Sequence, residues 1–316
     1  MARAGKVTRF LETRGPADEG IRVPVATIHG GRDGPTMLMV AGVHGSEYVG
    51  IEACKRIFRT LSAEELRGTL ITVPCLNLPA FYGLAAHVNP IDERNPGREF
   101  PGDPAGSHTE RMTFLVWDHL AKTADYVIDI HGGDLEEELV DYGQVNLTGN
   151  TNVDAQAEAL GRALNMPFFV RRPAPAELPM DHAGLHPIAA SHGIVAVLAE
   201  AGSHGELDEA EVRVLYGGLH NALRHAGMLP GPPDPPHAPM VLHGFAGTVA
   251  PAEGFWYPSV RKGEVIRKGQ QVGEMRGMFD EPLGPVIAIE DAAILGVITT
   301  PARRKGDMLL GLGTLA

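Results

Sequence analysis

Val40-Ala41-Gly42-Val43-His44-Gly45-Ser46-Glu47 is the stretch that decides how this chain of 316 residues is read. The residues before it, Met37–Val40, are apolar and read as a buried strand, so His44 falls where the chain leaves a sheet. Gly42 and Gly45 allow a tight turn there. Glu47 opens the next helix, where a carboxylate is also favoured by the helix dipole. A second run, Tyr126-Val127-Ile128-Asp129-Ile130-His131, repeats the pattern of an apolar strand closing on an imidazole. In open α/β sheets, sites form beyond the carboxyl ends of strands. Both runs are therefore expected at one sheet edge. Two His and one Glu, with a fourth position left to water, are the donor set of a hydrolytic zinc site.

The rest of the chain supports this architecture. Strands are expected over 22–28, 36–43, 70–76, 125–131, 143–148, 167–170 and 194–199, and helices over 48–60, from 107 or 109 to 124, and over 153–164, 181–192 and 207–227. Strands alternating with helices give a mostly parallel, mixed α/β sheet covered on both faces. Residues 77–106, rich in Pro, Asn and Gly, read as a long irregular and hence functional loop. The run Leu229-Pro230-Gly231-Pro232-Pro233-Asp234-Pro235-Pro236-His237 reads as a semi-rigid linker. From Val241 onward the sequence shows short strand-like runs between Gly, Pro and Lys-Gly turns. The expected organisation is an α/β domain over 1–228, a linker over 229–240 and a small all-β domain over 241–316.

Other residues add chemistry to the metal set. Asp129 shares a strand face with His131 and suits either a carboxylate orienting that ligand or an ordinary buried hydrogen bond. Strand 194–199 delivers Glu200, an acid closing an apolar strand, which reads as a general base that later protonates a leaving amine. In the loop, Arg98 can present a guanidinium fork to a substrate carboxylate. Asp134, Glu136, Glu137, Glu138 and Asp141 read as a solvated face or, more sharply, as a lure for a substrate ammonium group, as in N-acetyl-diaminobutyrate deacetylation. His182, His186 and His192 read as surface or packing residues. Arg171 and Arg172 follow a strand and can reach toward a substrate.

Gly42-x-His44-Gly45-x-Glu47, Arg98-x-Phe100-Pro101-Gly102, Asp129-x-His131 and Glu200-x-Gly202, in that order, resemble the succinylglutamate desuccinylase/aspartoacylase family, relatives of the zinc carboxypeptidases. The resemblance covers most of residues 25–228. It implies a zinc carboxypeptidase-like fold that hydrolyses N-acyl amino acids with one Zn2+ per subunit held by His44, Glu47 and His131. It further implies Glu200 as general base, Arg98 on the substrate carboxylate, and a C-terminal β-domain resembling a biotinyl/lipoyl carrier. Two positions depart from the family pattern. Gly97 stands where Asn is common, leaving Asn95 as the substitute amide at the substrate. His87 stands where an Arg usually polarises the scissile carbonyl, so that role falls to His87 or Arg94.

Composition narrows the classes. A net charge of −12 disfavours nucleic acid and anionic membranes as partners. No apolar run approaches the roughly 18 residues of a membrane helix. No apolar core follows Met1-Ala2-Arg3-Ala4-Gly5-Lys6, so no secretory leader is expected. Cys54 and Cys75, without a CxxC, read as buried thiols of a reducing cytoplasm. Of Lys262, Lys268 and Lys305, none lies in the expected hairpin Ala288–Ala292, which argues against a carrier function. The partners expected are a small-molecule substrate and a second subunit in a homodimer. The leading expectation is an N-acyl amino acid deacylase; the alternatives are a metallocarboxypeptidase acting on short peptides and a non-catalytic metal-retaining binding protein.

Overall fold

The computed structural model describes residues 4–13, 20–235 and 238–315. Met1–Arg3 of the leader reading and Pro236 and His237 of the linker lie outside them. The chain runs β1 (Gly5–Glu12), β2 (Arg22–His29), β3 (Arg32–Val40), α1 (Tyr48–Thr60), β4 (Arg67–Val73), α2 (Leu78–Gly83) and α3 (His108–His119). It continues through β5 (Tyr126–His131), β6 (Glu137–Leu139), β7 (Tyr142–Asn146), α4 (Thr151–Ala163), β8 (Phe168–Arg172), α5 (Leu185–Ser191), β9 (Val195–Glu200), α6 (Glu209–His225) and β10 (Met240–Leu242). Eight strands follow: β11 (Phe245–Val249), β12 (Gly254–Pro258), β13 (Val265–Ile266), β14 (Gln271–Arg276), β15 (Pro282–Ile287), β16 (Ala292–Ile298), β17 (Ala302–Arg303) and β18 (Met308–Thr314).

The fold is mixed α/β. Its main sheet has the order β1-β2-β4-β3-β5-β9-β7-β8-β10. The central pairs β4–β3, β3–β5 and β5–β9 are parallel, as are β7–β8 and β8–β10, whereas β1–β2, β2–β4 and β7–β9 are antiparallel. Period-two alternation explains why both faces are covered. Met37, Met39, Ile128, Ile130 and Val197 point into a core with α1, α4 and α6. Leu38, Val40, Val127 and Ala196 point into a second core with α3 and α5. After β10 the strands form two antiparallel sheets, β11-β18-β16-β13 and β15-β14-β12-β17.

Five features differ from the sequence reading. β1 precedes the first expected strand; nearly all its residues are exposed, so it carries no apolar alternation to betray it. The helix expected over 181–192 starts only at Leu185, because Ala183 exchanges backbone hydrogen bonds with Phe100 instead. The loop over 77–106 contains α2 and a 3-10 turn at Pro96–Arg98. β6 is new, and it pairs antiparallel with β16, with Leu139 opposite Gly296. β10 spans the expected boundary at 240/241 and joins the large sheet through β8.

Candidate metal centre and active site

The edge where β3, β5 and β9 end carries the site. Register sets its layout: Val40 pairs with Asp129, and His131 with Glu200 in the next parallel strand. After Val40 the chain turns through Gly42, whose φ of +62° suits glycine. Gly45 is needed for a different reason. A Cβ there would lie 2.1 Å from the backbone nitrogen of Phe81, so α2 packs directly against the loop that holds His44.

His44, Glu47 and His131 converge, with one donor atom from each within 4.8 Å of the others. His44 Nδ1 lies 2.5 Å from Glu47 Oε1, and His131 Nδ1 lies 3.3 Å from Glu47 Oε2. The outer ring nitrogens are engaged elsewhere. His44 Nε2 is 3.1 Å from Asn95 Oδ1, and His131 Nε2 is 3.1 Å from Asp129 Oδ1. In each neutral ring Nε2–H donates outward, leaving the Nδ1 lone pair facing Glu47. Glu47 Oε2 is buried and receives no hydrogen bond. Two inward lone pairs and an orphaned carboxylate oxygen fit a divalent cation, which His44, Glu47 and His131 would hold.

The titration behaviour agrees with this electrostatic design. Burial opposes charge on His44, but Glu47 outweighs it and raises the pKa. His131 is also desolvated, yet Asp129 and Glu47 push its pKa well up. Glu47 is pulled down to about 2 by the two imidazoles against the effect of burial. A cation at the Nδ1 atoms would take the place of those protons.

Glu200 is different. Desolvation, with Glu47 and Glu137 adding repulsion and the two imidazoles opposing, raises it to about 8. The Tyr142 hydroxyl, from the residue paired with Glu200 across β7 and β9, is 3.5 Å from Glu200 Oε1. Two cavities of about 660 Å³ and 700 Å³ share His44, Asn95, Arg98, His131, Tyr142, Glu200 and Phe245 as walls. Arg98 and Arg172 face the first of them, and neither guanidinium has an ion-pair or hydrogen-bond partner among the described residues. Arg171, one residue earlier on the strand, points elsewhere and donates to Glu158 at 2.6 Å.

Other sequence-predicted residues divide sharply. His87 lines the second cavity, its ring 5.5 Å from that of His44 and its Nδ1 3.2 Å from Asp134. Asn95 sits beside the cluster, its Oδ1 also accepting from Gly97 N at 2.8 Å. Arg94 is not brought to the cavities. Its guanidinium pairs with Glu110 at 2.5 Å and Glu99 at 3.6 Å, tying the loop to the start of α3. The acidic run is not a solvated face. Asp134 is fully buried, receiving Ser46 Oγ, the backbone N–H of His87 and that of Leu135. Glu136 pairs with Arg303 at 2.6 Å, and Glu136 and Glu137 both line the second cavity.

Two groups escaped the sequence reading. Of the three expected as surface or packing residues, His182 is exposed and His192 packs on Trp117, whereas His186 is buried and bonded to Asp129. Tyr142, Gln144 and Asn146 line the first cavity together. Polar residues at every second position of a buried strand were the available signal. The lysine count gains a structural counterpart: Lys262 Nζ donates to Leu139 O at 2.8 Å and Ser203 Oγ at 3.0 Å. Cys54 and Cys75 are free and buried, and burial pushes both thiols up to about 12.

With this geometry in place, comparison with known proteins identifies the class. The model of the succinylglutamate desuccinylase/aspartoacylase catalytic domain matches residues 33–226, and the chain belongs to that family. It is 27% identical over 271 residues, 84% of this chain and 77% of the relative, to N-alpha-acetyl-L-2,4-diaminobutyric acid deacetylase of Halomonas elongata. Among solved structures it is similar to product-bound ectoine utilization protein EutE (DoeB) from Ruegeria pomeroyi, with TM-score 0.88 and 26% identity over 99% of this chain and 96% of that one. The fold is also that of a succinylglutamate desuccinylase/aspartoacylase from Rhodobacter sphaeroides, with TM-score 0.87 and 23% identity over 100% and 97% of the two chains. No helix among the described residues is long and apolar enough to cross a membrane.

Proposed function

We propose that this chain is a zinc-dependent deacylase that hydrolyses the amide bond of a small N-acylated amino acid. The observation that carries the reading is the convergence of His44, Glu47 and His131 beside Glu200, in cavities that an unpaired Arg98 also faces. Zinc, held one per subunit by the three ligands, would supply an electrophilic centre that acidifies water and polarises a carbonyl. Glu200 takes the proton of the attacking water and returns it to the departing amine. Burial raises the Glu200 carboxyl in the metal-free chain and a bound cation would draw it back down, which suits a group that exchanges a proton in both directions. His87 donates toward the amide oxygen as it gains charge. Arg98 offers its fork to the substrate carboxylate, with the amide of Asn95 alongside.

The wall of Glu136 and Glu137 favours a substrate whose amine half bears an ammonium group, and the diaminobutyrate relative points the same way. Within this reading residues 1–228 form the catalytic domain, 229–240 a linker and 241–316 a small β-domain, working as a cytoplasmic homodimer. The test is a panel of N-acetyl diamino acids, N-acetyl-aspartate, N-succinyl-glutamate and short peptides with the zinc-loaded chain. N-acyl diamino acids are expected to turn over best. Cleavage confined to peptides would instead establish a carboxypeptidase. Glu200→Gln is expected to lower kcat by about 10²–10⁴-fold with zinc content retained.

A further inference from the structure

Asp129 is 1% exposed, and each of its oxygens has a separate duty. Oδ1 accepts from His131 Nε2 at 3.1 Å. Oδ2 accepts from His186, by the ring Nδ1 at 3.1 Å and by the backbone N–H at 3.3 Å. The far nitrogen of His186, Nε2, is 3.3 Å from Gln144 Nε2, an amide nitrogen with only hydrogens to offer. That nitrogen also donates to Asn146 Oδ1 at 3.0 Å, and Asn146 Oδ1 in turn lies 3.1 Å from His186 Nε2. A carboxylate only accepts, so the ring hydrogen facing Asp129 sits on Nδ1, while Nε2 lies between the Gln144 donor and the Asn146 acceptor. The chain of bonds thus runs from β7 through α5 to the end of β5.

We infer that His186 is a positioning residue for the metal centre: by holding Asp129 Oδ2, it fixes which nitrogen of His131 faces Glu47. The inference rests on the proposed zinc site and extends it outward by one residue. Without the imidazole, Asp129 Oδ2 keeps only the longer bond from the backbone N–H of His186, and a buried carboxylate held that loosely can rotate. Rotation would take Oδ1 off His131 Nε2 and so release the ring that carries the Nδ1 lone pair. A group that orients a ligand in this way acts on metal affinity, by about 10–100-fold where a ligand's hydrogen-bond partner is removed.

Two substitutions separate this role from packing. His186→Asn keeps a side-chain N–H near the place of Nδ1, whereas His186→Leu keeps bulk and removes the donor. Zinc dissociation constants are measured by chelator competition, alongside Tm, kcat and KM. His186→Leu is expected to weaken zinc about 10–100-fold and to lower kcat with KM little changed. His186→Asn is expected to recover most of both. Gln144→Met, which removes one of the two partners of His186 Nε2 and leaves Asn146 Oδ1 beside it without touching Asp129, is expected to weaken zinc several-fold, and it decides the matter with His186→Asn if the leucine variant does not fold. Zinc affinity unchanged in His186→Leu, or lost equally in both His186 variants in step with Tm, would overturn the inference. A wild-type chain that holds no zinc would remove the metal reading and this inference together; unaltered affinity in the variants removes this inference alone.

Discussion

The two walls of the site are built by opposite means. The ligand wall rises from β3, β5 and β9, whose strands are buried on both faces, and its loops turn within backbone contact of α2. The facing wall, residues 134–140, reaches a hydrophobic core only at its end, through Leu139 and Val140. It is stapled through the β6–β16 ladder, the Arg303–Glu136 pair and the Lys262 contacts to segments more than a hundred residues further on. Close backbone packing leaves the first wall little room to shift, which suits a candidate metal centre. Hydrogen bonds and charge fix the second, which suits a surface that only has to recognise a substrate.

Gly45→Ala attacks the ligand wall and should have the larger effect. Its Cβ has no room beside Phe81 N, so overpacking of about 1–3 kcal/mol and a loss of zinc affinity are expected. Thermal unfolding together with metal analysis checks both, and a variant that matches wild type in each would show that α2 can move away.

Glu200 links the two walls and sharpens the comparison through pH. In the metal-free protein its pKa of about 8 lies above the ordinary value of 4.5, so the folded state binds the proton more tightly than the unfolded one. The stability this contributes is complete below pH 4.5 and is lost as pH rises to about 8. Glu200→Gln cannot titrate. Its Tm advantage over wild type, both treated with chelator, should therefore grow from pH 5 to pH 8. A constant gap would mean that the carboxyl group is solvated in the folded state.

Arg303→Ala probes the stapled wall and should do least. Arg303 is largely buried, but Glu136 is partly exposed and keeps Thr300 as a donor, so a loss of about 1 kcal/mol is expected. The change should appear in KM for amine-bearing substrates while zinc affinity stays put. A fall in zinc affinity would show that the walls are not independent.

Legibility in the sequence follows the same division. His131 and Glu200 could be picked out because each closes a strand whose apolar run is visible locally, and His44 and Glu47 because they fill the glycine-flanked turn between such a strand and the next helix. Arg98 was likewise marked by the turn residues around it. The limits of α1, expected over 48–60, match Tyr48–Thr60 because the apolar period and the glycine turn before it are local as well. Arg94 looked equivalent to Arg98 from the same signals. Only the fold shows Glu110, from the following helix, and Glu99, from the same loop, claiming it. His186 resembled its exposed neighbour His182 for the same reason.

What the sequence by itself determined is the mixed α/β sheet, the edge at which its strands end, and the candidate triad His44, Glu47 and His131 with Glu200 at that edge. These depend on strand period and on residue types at strand ends, both of which are properties of a few consecutive residues. The tertiary structure alone decided which polar groups are free to act. Arg98 and Arg172 are open while Arg94 and Arg171 are paired, and Asp134 is buried while Glu137 faces the cavity. Such outcomes depend on charges brought together from distant segments, and local sequence carries no measure of that distance.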